Sequence, residues 1–540
     1  MKISKLNKII KTGFFLLFLF LAFFSLSEKS NWFGLNLYFR TNPLDWLIVF
    51  ISNRALNFKY FFPSIIFILL TFVFGRFFCG YVCPLGNLID ISDWIWIKRL
   101  RKSVKIPRFV FALRWINLLV LIGASIYGVS LLFLIEPMSL ITRFMTTSVT
   151  GPLKHLAKSM QDWLSFMLPE KWTLLNIDVP YYHLAVYNLA AIIIIILLSL
   201  LAERFWCRYL CPLGLLYELM AKFSLFRMKV VENCPHCKVC MKNCPVANDR
   251  TSQEEIPHEE CILCFNCIDS CPTKGISYKF MPGIDKKRLR PNYGLERRDC
   301  ILYAGVGFAI AWISKGDASS NFRKIVRPPG AIPEKEFLEK CIRCGACMKA
   351  CPSHCLQPAF LQEGIPAMGT PFIDGYIAGC TPECNLCGQV CPTGALRKLP
   401  LEEKQFAKMG MVEVDKSRCL AWAHGKECLM CDEICPYNAI YRDTEIIDGK
   451  SVPVFHVVED VCMGCGLCAA KCAKDGARAL KLYPLGELRK SKGSYITKHV
   501  KDLREKINDM DNFSAKQDDK SPQQKTNTDN LFQEVPEDLK

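Results

Sequence analysis

The sequence predicts an α-helical membrane bundle of four to five spans joined to small α+β ferredoxin domains of the bacterial type. Three observations carry this. Hydrophobic residues make up 51% of the 540 positions and concentrate in the first 210. The 30 cysteines are placed unevenly, with none before Cys79 and nearly all between Cys207 and Cys472. Most of those cysteines fall into runs with the spacing of iron–sulfur ligands. The chain therefore reads as a membrane half followed by a cysteine-rich half.

Four apolar stretches, at about 13–27, 60–78, 109–135 and 183–203, reach or approach the length that spans a hydrocarbon layer of roughly 30 Å. The basic start, with Lys2, Lys5, Lys8 and Lys11, reads as an uncleaved anchor, because no small-residue cleavage site follows Phe24. Lys98, Arg99, Arg101, Lys102, Lys105 and Arg108 place the loop after the second stretch in the cytoplasm. Alternation then puts the loop at about 136–182 outside and the chain after 203 back inside. The net charge of +17 raises nucleic acid as a partner. The basic residues flank apolar stretches, as positive-inside topology requires, so no nucleic acid is expected.

A fifth apolar stretch, about 300–314, follows Lys286, Lys287, Arg288, Arg290 and the pair Arg297-Arg298. It reads as a short span after a twin-arginine export signal, or as a buried helix of a soluble domain. As a span, it places residues after about 315 outside the cytoplasm. The expected division is a membrane module at 1–220, a ferredoxin domain at 221–285 and a basic segment with helix and linker at 286–334. A second ferredoxin domain follows at 335–485, then a polar tail at 486–540 expected to be disordered.

Six runs carry the cluster chemistry. Cys234, Cys237, Cys240, Cys244 and Cys261, Cys264, Cys267, Cys271 both read C-x2-C-x2-C-x3-C-P. In such a run three thiolates from a tight loop grip one cubane, and the fourth turns away to the other cluster of the pair. One cluster is therefore expected on Cys234, Cys237, Cys240 and Cys271, the second on Cys261, Cys264, Cys267 and Cys244. Four further runs follow: Cys341, Cys344, Cys347, Cys351; Cys380, Cys384, Cys387, Cys391; Cys419, Cys428, Cys431, Cys435; and Cys462, Cys465, Cys468, Cys472. The second and third have irregular first gaps, and the last ends in Ala473 instead of proline. First pairing with fourth and second with third is the expected arrangement. Zinc would want separated pairs or histidines, and disulfides would be crowded by this spacing. No C-x-x-C-H occurs, so covalent haem is not indicated. Six [4Fe–4S] clusters are expected.

There is also an internal repeat. Arg76-Phe-Phe-Cys79-Gly-Tyr-Val-Cys83-Pro-Leu-Gly86 ends the second stretch, and Arg204-Phe-Trp-Cys207-Arg-Tyr-Leu-Cys211-Pro-Leu-Gly214 ends the fourth. Cys79, Cys83, Cys207 and Cys211 are candidate metal ligands and could jointly hold a metal or cluster. They could instead form a redox dithiol, or only shape helix ends before Pro84 and Pro212. Cys300 and Cys355 fall outside every run and read as packing thiols. Glu136 and Glu203 sit at span ends, where an ionisable group is a proton acceptor or simply solvated. His155 and His183 are too isolated to argue for haem.

With these motifs in view, the first 285 residues or so resemble the membrane ferredoxin-type subunit of periplasmic nitrate reductase systems, the NapH type. Residues from about 296 to 485 resemble its partner and the related methylamine-utilisation ferredoxin, the NapG/MauM type. That second likeness rests on Arg297-Arg298, the segment Arg327-Pro-Pro-Gly-Ala-Ile-Pro333 and the four runs. The resemblance implies quinol oxidation in the membrane and electron delivery to an extracytoplasmic reductase or cytochrome. It also implies a multi-pass protein of the bacterial inner membrane with a periplasmic C-terminal domain. Here both partners share one polypeptide, and Cys300 departs from the aromatic position of the twin-arginine pattern. No nucleophile, acid–base pair or phosphate loop suggests a stand-alone enzyme. The expected function is membrane-bound electron transfer from the quinone pool. The alternatives are a metal-reducing or assembly factor using the C-x3-C-P cysteines, and a cluster-bearing anchor for a reductase.

Overall fold

The computed structural model describes residues 3–24, 36–54, 58–101, 106–167, 180–230, 234–235, 237–246, 258–281, 297–316, 325–360, 364–426, 428–447, 450–472, 478–496 and 502. A helical module and two ferredoxin units make up the molecule. In the module, one helix, over Ile3–Phe23, is long and apolar enough by itself to cross a membrane among the described residues. The other expected spans are shorter helices, Phe58–Phe74, Leu113–Ile126 and Ala185–Leu198. Backbone breaks shorten them. Gly75 takes a left-handed φ of +76° after the first, Gly128 one of +80° after the second, and Arg204 one of +52° after the third. The expected outer loop at 136–182 is helical from Pro137 to Met167, with Pro137–Arg143, a π turn at Phe144–Val149, and Thr150–Met167. An unexpected helix, Pro43–Asn53, starts at Asn42, whose side chain accepts from the Leu44 N–H, and buries Leu44, Ile48 and Val49.

The fifth apolar helix, Arg297–Gly316, lies along Leu113–Ile126. Glycine permits the close approach. A Cβ at Gly123 would stand 2.5 Å from the Ala304 carbonyl, and one at Gly307 2.5 Å from that of Val120. Small residues at such crossings are a mark of helix packing in apolar surroundings.

Each ferredoxin unit is closed by an antiparallel strand pair. Phe226–Val230 pairs with Ile276–Phe280 around the first two runs, with Phe226 opposite Phe280. Met411–Val414 pairs with Leu480–Tyr483 around the last two, and a hairpin, Ile440–Ile447 with Lys450–Val457, is inserted between those runs. Leu356–Pro358 and Pro371–Ile373 pair between the third and fourth runs. The later unit in the chain, here the outer unit (the earlier one, around the first two runs, is the inner), also extends past the boundary expected at 485. Tyr495 is 1% exposed beside Leu399 and Ala407, and Arg489 pairs with Glu334 and Glu487. Beyond 496, the expected tail lies outside the described residues, Asp502 apart.

Candidate iron–sulfur sites

In the regular runs the loop conformation is set by left-handed residues on either side of the second cysteine. Leu263 (φ +54°) and Phe265 (+60°) flank Cys264, Arg343 (+57°) and Gly345 (+78°) flank Cys344, and Gly464 (+66°) and Gly466 (+76°) flank Cys465. Non-glycine side chains rarely adopt this region, and such strain gathers where a loop must clamp a ligand. The irregular runs are built otherwise: Asn385, after Cys384, has φ −129°, and Leu429, after Cys428, has φ −105°.

In the inner unit, Cys244, Cys261, Cys264 and Cys267 line one cavity together with Met228 and Tyr278. Three loop thiols and the fourth cysteine of the other run thus converge on one space with an apolar wall, which fits a cubane. Tyr278 adds a feature the sequence did not flag. Its Oη lies 3.3 Å from Cys261 Sγ and 3.9 Å from Cys267 Sγ, placed to donate to ligand sulfur. Cys234 and Cys237 both lie within electrostatic reach of Cys240. Cys271 follows the helix Asn266–Ser270, which packs on Val239–Lys242.

The outer unit corrects the expected pairing. Cys341, Cys344 and Cys347 lie within reach of Cys391, and Cys380 and Cys387 within reach of both Cys384 and Cys351. Cys462, Cys465 and Cys468 gather with Cys435, while Cys419, Cys428 and Cys431 form the remaining group, with Cys472 in the same core as Cys431. First therefore pairs with second, and third with fourth. The reason is topological: Met411–Val414 and Leu480–Tyr483 close a unit around the last two runs only. The two halves of the outer unit meet where the Cys380 N–H donates to the Cys465 carbonyl at 2.8 Å. Cys355, read as a packing thiol, is 1% exposed, and its Sγ lies 3.6 Å from that of Cys351.

The two ferredoxin units sit on opposite ends of the helical module. At one end, Tyr81 Oη donates to the Leu263 carbonyl at 2.8 Å, Asn7 Nδ2 to that of Cys264 at 2.8 Å, and Cys79 packs with Cys244 and Cys264. At the other, Ser139 Oγ donates to the Ile342 carbonyl, Tyr182 Oη to that of Met348, and His183 pairs with Asp374 at 2.9 Å. Cys79, Cys83, Cys207 and Cys211 come together at the first end, within mutual electrostatic reach. Glu203 pairs with Arg101 at 2.8 Å. Glu136 is fully buried and caps Pro137–Arg143 by accepting from the Met138 and Ser139 N–H groups and from Asn42. The Cys300 side chain lies outside the described residues.

Among the described residues, no three His, Cys, Asp or Glu side chains stand close enough to hold one metal ion. This holds for the paired-run groups too, whose sulfurs a cubane keeps farther apart than a mononuclear centre does. Outside the clusters, Glu334 is a strongly displaced ionisable group of the outer unit. Burial would raise its carboxyl, but Arg327 and Arg489 outweigh that and hold it down at about 2.

Sites of this kind define a ferredoxin-type iron–sulfur electron-transfer protein. A family model described as a 4Fe-4S binding domain matches residues 57–103 and 184–230, the two hairpins that carry the C-x3-C-P motifs. A second model of the same description matches 337–357. The methylamine utilization ferredoxin-type protein MauM of Methylorubrum extorquens is 40% identical over 176 residues, 31% of this chain and 76% of that protein. MauM of Paracoccus denitrificans is 36% identical over 33% of this chain and 79% of its own length. The ferredoxin-type protein NapG of Escherichia coli is 36% identical over 215 residues, 36% of this chain and 88% of that protein. The chain belongs to the family of ferredoxin-type proteins that includes MauM and NapG. No solved structure matches it.

Proposed function

We propose that the chain is a multi-pass protein of the bacterial inner membrane that joins a NapH-like module to a NapG/MauM-like polyferredoxin. In this reading it passes electrons from quinol through six [4Fe–4S] clusters to an extracytoplasmic reductase or cytochrome. The observation that carries it is the placement of two ferredoxin units at opposite ends of a helical module with an apolar flank. Phe62, Ile66 and Leu69 on one helix, Val186, Ile194 and Leu197 on another, and Ile301, Leu302 and Ile313 on a third are all exposed. Soluble monomers rarely expose contiguous apolar patches larger than a few hundred Å². A lipid layer around this flank would separate the two units, and an electron entering one could leave from the other. The bundle is then four to five spans, with Arg297–Gly316 as the last and the shorter helices accommodated by local thinning of the bilayer.

The test is anaerobic reconstitution into liposomes, with a water-soluble quinol analogue as donor and cluster absorbance as readout. Quinol-dependent bleaching is expected, and it should be relieved by an oxidant confined to the side that holds 335–485. Clusters that dithionite reduces but quinol never does would overturn the quinol reading. Reporter fusions at Lys102 and Ser159 should give opposite sides; matching sides would overturn the topology.

A further inference from the structure

We infer that the two C-x3-C-P hairpins are halves of one site, and that Cys79, Cys83, Cys207 and Cys211 together hold a single additional [4Fe–4S] cluster. This rests on the reading of the chain as an electron carrier, and it goes beyond the family match, which treats each hairpin as a unit of its own.

The first support is the symmetry of construction. Arg76 and Arg204, Cys79 and Cys207, Cys83 and Cys211, Gly86 and Gly214, and Asp90 and Glu218 are each 128 positions apart. The local structure repeats as well. A π turn, Phe78–Val82 or Trp206–Leu210, leads into an extended cysteine, Cys83 (φ −64°, ψ 114°) or Cys211 (φ −74°, ψ 114°), and a helix then starts on Pro84 or Pro212. Neither hairpin supplies more than two thiols.

The second support is that the halves are interlocked. Each arginine crosses to the other hairpin. Arg204 donates to both Asp90 oxygens, at 2.7 and 2.6 Å, and to the Cys79 carbonyl at 3.1 Å. Arg76 lies 3.5 Å from Glu218. Gly214 makes room for one crossing: a Cβ there would stand 2.9 Å from Arg76 Nη2. Arg76 and Arg204 are 2% and 1% exposed.

The third support is what the site lacks. Arg76, Arg114, Arg204 and Lys11 pair there with Asp90, Glu218 and Glu260, and buried cations of this kind would stabilise an anionic cluster held on four thiolates. Tyr217 Oη is fully buried within reach of Cys79 and Cys83 and makes no hydrogen bond; Arg76 Nε is also unpartnered. A buried polar atom without a partner calls for one, and cluster sulfides accept hydrogen bonds. Location completes the case. Gly80 lies against the Ile262 backbone of the inner unit, so this cluster would be next in line after that on Cys244, Cys261, Cys264 and Cys267.

The test counts iron and acid-labile sulfide in anaerobically purified full-length protein, with no quinol involved. Seven clusters give about 28 irons per chain against about 24 for six. Cys79→Ser and Cys207→Ser should each lose about four irons, and the double variant should lose no more than either alone, because the site is shared. The remaining clusters' electron paramagnetic resonance signals should persist, which shows that the variants fold. In the wild type these four cysteines should resist alkylation until iron is chelated. About 24 irons in the wild type, variants that keep the full wild-type iron, additive losses in the double variant, or four freely alkylated thiols in the loaded protein would each overturn the proposal.

Discussion

Replacing Glu334 with glutamine tests whether the outer unit is held as one body by a buried ion pair. Glu334 Oε1 accepts from Arg327 Nη2 at 2.6 Å, and its other oxygen meets Arg489. It thus ties the segment before the first outer run to the segment after the last. Burial opposes its charge, yet the two guanidinium groups hold the carboxyl at about 2 against an ordinary 4.5. At roughly 1.4 kcal/mol per pH unit the bound is about 3 kcal/mol. The side chain is 19% exposed, so screening reduces this to roughly 2 kcal/mol. Because the folded value is depressed, the stabilisation is fully present above about pH 4.5 and is lost as pH falls toward about 2. For a unit of this size, Glu334→Gln should lower the apparent melting temperature at pH 7 by roughly 4–8 °C. The assay is bleaching of cluster absorbance at one fixed heating rate, under anaerobic conditions. The gap from wild type should stay level between pH 8 and pH 5 and narrow below 4.5. A change under about 1 °C at pH 7, or a gap that opens on acidification, would refute the reasoning.

Tyr278→Phe removes a donor to Cys261 and Cys267 and should lower the reduction potential of one inner cluster, read by redox titration with paramagnetic detection, while iron content stays unchanged. Cys355→Ala should do the same to the cluster on Cys380, Cys384, Cys387 and Cys351, and Cys355→Ser should restore much of the shift; loss of a whole cluster instead would make Cys355 a ligand. Gly80→Ala puts a Cβ 2.2 Å from the Ile262 carbonyl and should loosen the inner unit from the helical module by about 1–3 kcal/mol. In that variant each unit should keep its cluster spectrum, but reduction of the outer clusters from the inner ones should slow in stopped-flow traces.

Much of this was legible because thiolate spacing is local. C-x2-C-x2-C-x3-C places three ligands on one short loop whatever surrounds it, and the exchange that brings Cys244 to the cavity of Cys261, Cys264 and Cys267 follows from that loop geometry alone. Pairing in the outer unit is a different kind of fact. All four runs offer equivalent fourth cysteines, and the choice is made by Met411–Val414 closing on Leu480–Tyr483, a contact between strands nearly 70 positions apart. Tyr278 was invisible for the same reason, since it reaches Cys261 across the closing strand. The tail boundary was misplaced because composition averages over residues. The segment after Gly486 is polar overall, yet Arg489 and Tyr495 anchor it, and two anchors suffice. Helix Pro43–Asn53 was overlooked because eleven residues are too few to register as a span.

The contact between the helical module and the outer unit bears on how electrons would leave the module. Arg143 and Arg343 stack on the ring of Phe133, at 5.6 and 5.2 Å, one from each side of the junction. Both are buried, and Arg143 donates to the Phe133 carbonyl. Two like charges so placed would repel if the contact were loose, so their burial requires that carbonyls and the ring face hold both in fixed positions. Arg343 is also the left-handed residue before Cys344, and a Cβ at Gly345 after it would stand 3.2 Å from Arg143 Cγ. The loop that grips the first outer cluster is therefore part of the junction itself. In a two-chain carrier that junction would have to form by encounter. Here the chain supplies both sides, the effective concentration of one for the other is high, and the distance from the module to Cys344 is set by the fold instead of by a docking equilibrium.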